Sequence, residues 1–146
     1  RAEVAEVFAP GDHGSTFGGQ PFAMAAARAV LAEMEAIDAP ARATRQGTRL
    51  AEALADVPGV ASVRGMGLLL GAELAPGLAA PGVAAACLAA GLIVNPVTPT
   101  TLRFAPPLTV SDDEIDAAVA VLTTVITEAT AAASEPTAAE PGGGAP

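Results

Sequence analysis

No stretch leaves this chain less freedom than residues 111–129. Ser111 is followed three residues later by Glu114, the pattern of a capping box that satisfies orphan backbone donors at a helix start. Asp112, Asp113 and Glu114 also suit the positive end of a helix dipole. Behind them Ile115, Ala118, Val119, Leu122, Val125, Ile126 and Ala129 recur at three- and four-residue spacing, which predicts a helix with one unbroken apolar stripe. Such a stripe is stable only against another apolar surface. Short apolar runs upstream offer strands for it: residues 60–63 and 68–74 after a turn at Val57-Pro58-Gly59, then 92–94 and 102–105. Pro106 and Pro107 stop the last run, because proline cannot continue a strand ladder.

Three more helices are predicted. Residues 21–37 begin at Pro21, whose missing N–H costs nothing in a first turn. They carry Ala26, Ala27, Val30, Leu31, Met34 and Ile37 on a face expected to be buried, and Pro40 is expected to end the region. Residues 41–56 set Ala43, Leu50 and Leu54 on one side and Arg42, Arg45, Arg49 and Glu52 on the other, which reads as a solvated, charge-laced face. Residues 80–90 form a short helix closed by Gly91. Residues 1–10 are a helical or irregular lead-in, and 134–146, rich in Pro, Ala and Gly, a disordered tail. The sum is an α+β fold, with helices layered on an antiparallel or mixed sheet.

Chemistry concentrates in residues 10–21, Pro-Gly-Asp-His-Gly-Ser-Thr-Phe-Gly-Gly-Gln-Pro, which set four glycines, two hydroxyls, an acid and the chain's only histidine, His13, before a helix. A glycine-rich loop feeding a helix N-terminus suits an anion such as a phosphate, and Ser15 and Thr16 add donors. The loop is not a P-loop, which needs a lysine after its last glycine. In the plainer account Gly14, Gly18 and Gly19 make tight turns, while Asp12 or Ser15 caps local backbone. Gly65 and Gly67, either side of Met66, suggest a bulge or a place where another backbone comes close.

Composition narrows the function. The chain of 146 residues is 51% hydrophobic and 16% charged, a globular balance. A net charge of −9 argues against nucleic acid or an anionic membrane as partner. All seven basic residues are arginine, so no lysine is present. The single cysteine, Cys87, lies in an Ala/Leu run and reads as a small core residue. No metal site is expected. The first residues lack a signal-peptide layout and no apolar run reads as long and clean enough to span a membrane, so the cytoplasm is the expected location. The chain opens on Arg1 rather than Met, and a piece of a longer protein is expected.

Four islands carry a resemblance: residues 11–21, Val63-Arg64-Gly65-Met66-Gly67-Leu68, Gly91-Leu92-Ile93-Val94-Asn95 and Leu102-Arg103-Phe104-Ala105-Pro106-Pro107-Leu108. Their order and spacing resemble the C-terminal part of the class III pyridoxal-phosphate aminotransferases over residues 1 to about 130. Asp12 and His13 make the chain most similar to the acetylornithine-acting branch, and Gln20 departs from the asparagine usual there. The resemblance implies the small C-terminal domain of a fold-type I PLP enzyme, preceded by a cofactor-phosphate loop and a long linking helix. It implies three parts: residues 1–20 ending the large domain, 21–133 the linking helix and small domain, and 134–146 the tail. It further implies that Ser15 and Thr16 bind the phosphate of pyridoxal 5′-phosphate in the neighbouring subunit of a homodimer with its active site at the interface. Arg103 would face that site, near a substrate carboxylate or paired with a glutamate. Substrates would be a small amino acid and a 2-oxo acid: N-acetylornithine and 2-oxoglutarate, with ornithine, succinylornithine or 4-aminobutyrate as alternatives. No catalytic residue is assigned, because the lysine that forms the Schiff base with the cofactor is absent and the chain alone is expected to be inactive. The competing expectation is a stand-alone, non-catalytic interaction or phosphate-binding domain. As a fragment, the chain is expected to expose apolar surface on residues 1–8 and on one face of 21–37.

Overall fold

The computed structural model describes residues 2–9, 11–12 and 14–134. Expectations for Arg1, Pro10, His13 and residues 135–146 lie outside these. The chain divides into two compact units, Arg1–Ala39 and Pro40–Pro146, each described by itself.

The first unit holds α1 (Ala2–Ala5), the glycine-rich loop and α2 (Pro21–Ala36), with Pro21 in the first turn as expected. Burial of one α2 face is not found. None of its residues is buried, and Phe22, Met24, Val30 and Leu31 are exposed. This matches the expectation for a fragment, as does the exposure of Val7 and Phe8. Pro40 does not close this helical region. Asp38, with φ +48°, breaks the chain, and Pro40 then sits in the first turn of α3 (Ala39–Ala55), where its missing N–H is tolerated.

The second unit is a four-stranded, wholly antiparallel sheet in the order β1-β2-β4-β3, with β1 Val60–Met66, β2 Leu69–Leu74, β3 Asn95–Pro96 and β4 Thr101–Phe104. Between β2 and β3 runs α4 (Ala80–Ala89), closed at Gly91 as expected, with the Leu92 N–H donating to the Cys87 carbonyl at 2.8 Å. The strand expected over 92–94 lies instead at Asn95–Pro96. Val94 is spent on the core, and Pro96, lacking an N–H, keeps β3 a short edge strand.

Strand alternation sends Leu70, Ala72, Leu74, Leu102 and Phe104 to the inner face. There they form one core with Leu50 and Leu54 of α3, Val83 and Cys87 of α4, and Ile115, Leu122, Val125 and Ile126 of α5 (Asp112–Ser134). Cys87 is a fully buried core residue, and burial pushes its thiol pKa up. The capping box of α5 is present: the Ser111 N–H donates to Glu114 at 2.8 Å, and the Glu114 N–H to Ser111 Oγ at 3.3 Å. The Ser111 N–H foremost, and then the Ser111 hydroxyl, which donates to the same carboxylate at 2.9 Å, hold the Glu114 carboxyl below its usual range. One sequence expectation needs correction here. By length and composition alone, Asp112–Ala132 is long and apolar enough to cross a membrane, with a mean hydropathy of 1.5 over an 18-residue window of its 21 residues. Its charges cluster at the first turn, and its threonine hydroxyls return to carbonyls four residues back, as Thr123 does to Val119. In the fold its stripe is the floor of the core.

One glycine explains how α3 fits the sheet. A Cβ on Gly47 would run into the carbonyl of Gly67 in the β1–β2 turn. The turn therefore rests directly on the helix backbone, the close approach that Gly65 and Gly67 suggested. Gly65 itself has φ +147°, and a Cβ there would meet the Leu69 carbonyl.

Candidate functional site

Ser15 and Thr16 belong to the first unit and Arg103 to the second. In the loop the Gly18 N–H donates to Ser15 Oγ at 2.9 Å, and the Ala9 N–H donates to Asp12 Oδ2 at 2.7 Å. Both local caps of the plainer account are thus present. Ser15 keeps its own O–H free to donate while its oxygen accepts from the turn. Thr16 is exposed and makes no hydrogen bond among the described residues. Beyond the loop, Gln20 leads into α2 in extended backbone and its side chain caps nothing. The first N–H groups of α2 therefore lack a side-chain partner, and two exposed hydroxyls stand just before them. That donor set fits a phosphate.

In the second unit the outer face of the sheet carries the polar chemistry. Arg103 on β4 lies opposite Gly71 of β2, and Gly71 lies opposite Arg64 of β1. An open groove of about 590 Å³ runs over this face, with both arginines, Gly71, Thr101 and Val97 among its lining residues. Arg103 is exposed and has no hydrogen bond or ion pair among the described residues. Its guanidinium is a permanently charged, two-pronged donor available to a carboxylate.

Arg64 is not available in that way. It donates to Glu73 Oε2 at 3.2 Å and to Thr101 Oγ1 at 3.3 Å. The Glu73 carboxylate also accepts the hydroxyls of Thr100 and Thr101, the latter at 2.6 Å. Thr98 Oγ1 accepts the Thr101 N–H at 2.9 Å, which pins the turn between β3 and β4. With the threonine hydroxyls first and Arg64 after them, these donors hold the Glu73 carboxyl below its usual range. Sequence reasoning missed this cluster. Alternation along residues 69–74 places Glu73 on the solvent face, but only sheet register brings it beside Thr101, 28 residues on.

The arginines of α3 are also corrected. Their face is not merely solvated: Arg42 donates to the carbonyls of Leu108, Thr109 and Val110 at 2.9, 3.1 and 2.7 Å. Gln46 donates to Asp112, and Arg49 to both oxygens of Asp116 at 2.7 and 2.8 Å. One polar stripe of α3 thereby fastens the chain that leaves β4. No group of three or more metal-ligating side chains occurs among the described residues.

Comparison with known proteins places these features. Residues 1–126 match the family model described as aminotransferase class-III. The acetylornithine aminotransferase of Corynebacterium efficiens is 45% identical over 126 residues, 86% of this chain and 31% of that protein. The enzyme of the same name from Methanothermobacter thermautotrophicus is 40% identical over 129 residues, 86% of this chain and 33% of that protein. Among solved structures, the ornithine aminotransferase of Toxoplasma gondii superposes with a TM-score of 0.76 at 30% identity, covering 92% of this chain and 33% of that one. The acetylornithine aminotransferase of Elizabethkingia anophelis gives 0.71 at 28% identity, covering 86% and 34%. The chain thus spans about a third of the length of the relatives it matches. A match across the loop, α2, the sheet and most of α5 settles the classification: this chain belongs to the class-III aminotransferases.

Proposed function

We propose that the chain is the C-terminal part of a PLP-dependent acetylornithine aminotransferase, moving the amino group of N-acetylornithine to 2-oxoglutarate in arginine biosynthesis. The observation that carries this reading is the run of acetylornithine aminotransferases at about 40% identity over 86% of the chain, beside a family match over residues 1–126 that includes the loop and the Arg103 strand. Residues 1–20 then end the large domain, 21–133 supply the linking helix and small domain, and 134–146 a tail. The exposed apolar side chains of α2 support a larger assembly, for which we infer a cytoplasmic homodimer with the active site at its interface.

In that assembly Ser15 and Thr16 donate their hydroxyls to the phosphate of pyridoxal 5′-phosphate held by the neighbouring subunit. The cofactor supplies a carbonyl for the amino group and an electron sink. Arg103 holds a substrate carboxylate and so orients the substrate. The proton-moving amine must come from outside this chain, which has no lysine. The 146 residues alone are therefore inactive.

The test is to express the whole reading frame and assay N-acetylornithine, ornithine, succinylornithine and 4-aminobutyrate side by side, with Arg103→Met in parallel. N-acetylornithine should be preferred, and Arg103→Met should lose at least about 10²-fold in kcat/KM, on the scale of a lost charge-assisted contact. Preference for ornithine would favour a second reading, supported by the T. gondii likeness. No transamination by the whole frame would leave a non-catalytic domain.

A further inference from the structure

On the outer sheet face, Arg64, Gly71 and Arg103 stand in one row across three strands, with the two arginine Cα atoms about 10 Å apart by the usual strand spacing. Between them Gly71 presents no side chain, so nothing divides the groove into two halves. Two guanidinium groups over one open floor would make a seat for a dicarboxylate. Yet only one of them is free. Arg64 is turned to Glu73 and Thr101, whereas Arg103 has no partner among the described residues.

The difference lies in Glu73. Its carboxylate is fixed before Arg64 arrives, because the hydroxyls of Thr100 and Thr101 already donate to it and Thr98 holds the turn that carries them. A carboxylate already held by two hydroxyls loses little freedom in taking a third donor, so the pair is better formed than an isolated surface ion pair. The Arg64 side chain nonetheless stays 60% exposed, within reach of the groove if released.

We propose that Glu73 is a specificity-determining residue: by occupying Arg64 it leaves Arg103 as the single guanidinium this face offers, so that the groove accepts one carboxylate of a ligand and not two. Glu73 touches no ligand and acts through Arg64, as a positioning residue. The inference rests on the reading of Arg103 as a carboxylate-binding group and adds what sets the number of carboxylates taken.

The experiment uses the 146-residue chain, labelled with nitrogen-15, and follows the arginine Nε–H signals, assigned with Arg64→Lys and Arg103→Lys. The probes are butyrate, with one carboxylate, and glutarate, with two. In the native chain both should shift Arg103, leave Arg64 still and bind with equal affinity once glutarate's two ends are counted. In Glu73→Gln, whose amide keeps the shape, removes the charge and still accepts from one threonine through its single oxygen, glutarate should shift Arg64 as well. Its affinity should gain about two- to fivefold over butyrate, the range of one exposed ion pair. Adding Arg64→Met to Glu73→Gln should return the ratio to its native value, which a general loosening of the sheet would not do. An Arg64 signal that already moves in the native chain, or an unchanged ratio in Glu73→Gln, overturns the inference and leaves Arg103 as assigned. An Arg103 signal silent to both probes overturns the reading of Arg103 and this inference with it. The native measurement decides even if the variant fails to fold.

Discussion

Helices α2 and α5 have nearly the same sequence character and opposite fates. Both carry apolar residues at helical spacing, and both begin with a residue suited to a first turn. In the second unit Ile115, Leu122, Val125 and Ile126 of α5 are buried against the sheet, while no residue of α2 is buried in the first. Periodicity therefore reports that a helix face needs cover; it does not report what covers it. In α5 the partner strands lie within the same chain. For α2 the need remains, since the first unit offers it no such partner.

The sharpest way to break this comparison is to truncate one matched side chain in each helix. Leu122→Ala should cost about 2–5 kcal/mol, because the fully buried side chain leaves a cavity. Leu31→Ala, at 59% exposure, should stay within about 0.5 kcal/mol. Urea unfolding followed by circular dichroism reads both, and equal effects would erase the distinction between the units. A middle-sized effect is expected at Gly47→Ala. Helix propensity alone would make it stabilising by about 1 kcal/mol, yet the added methyl must displace the Gly67 backbone, at a cost of about 1–3 kcal/mol. Net destabilisation would show that the turn rests on α3; a gain in stability would show that it yields.

The smallest effect concerns acid. Glu73 and Glu114 both have folded pKa values below the ordinary 4.5, so the unfolded chain binds protons more readily there. Their contribution is full above that value and is lost as pH falls through the lower, folded values. Glu114→Gln should flatten the fall in stability below about pH 4.5 without altering the neutral unfolding midpoint as far as Leu122→Ala does. A fall as steep as in the native chain would remove Glu114 from the acid response.

Much of the second unit was legible from residue order. The Ser111 capping box, the Gly91 closure and the close approach at Gly67 depend on neighbours in sequence or on backbone geometry that only glycine tolerates. Of the two candidate sites, the loop was read correctly as a turn with local caps at Asp12 and Ser15. The outer sheet face was read only in part. Arg103 stood out through its motif, whereas Glu73 gave no signal, since its partners come from a strand it meets only after folding.

By itself, then, the sequence determined the local structure: where helices start and stop, which faces are apolar, and which family supplies the pattern. Tertiary structure decided the pairings. It put Arg42 on carbonyls 66 to 68 residues away, turned Arg64 to Glu73 and left Arg103 free on the same sheet. Local preferences follow from covalent geometry and near neighbours. Long-range hydrogen bonds form only once chain closure is offset by burying the core, so their partners are set by register and packing rather than by distance along the chain.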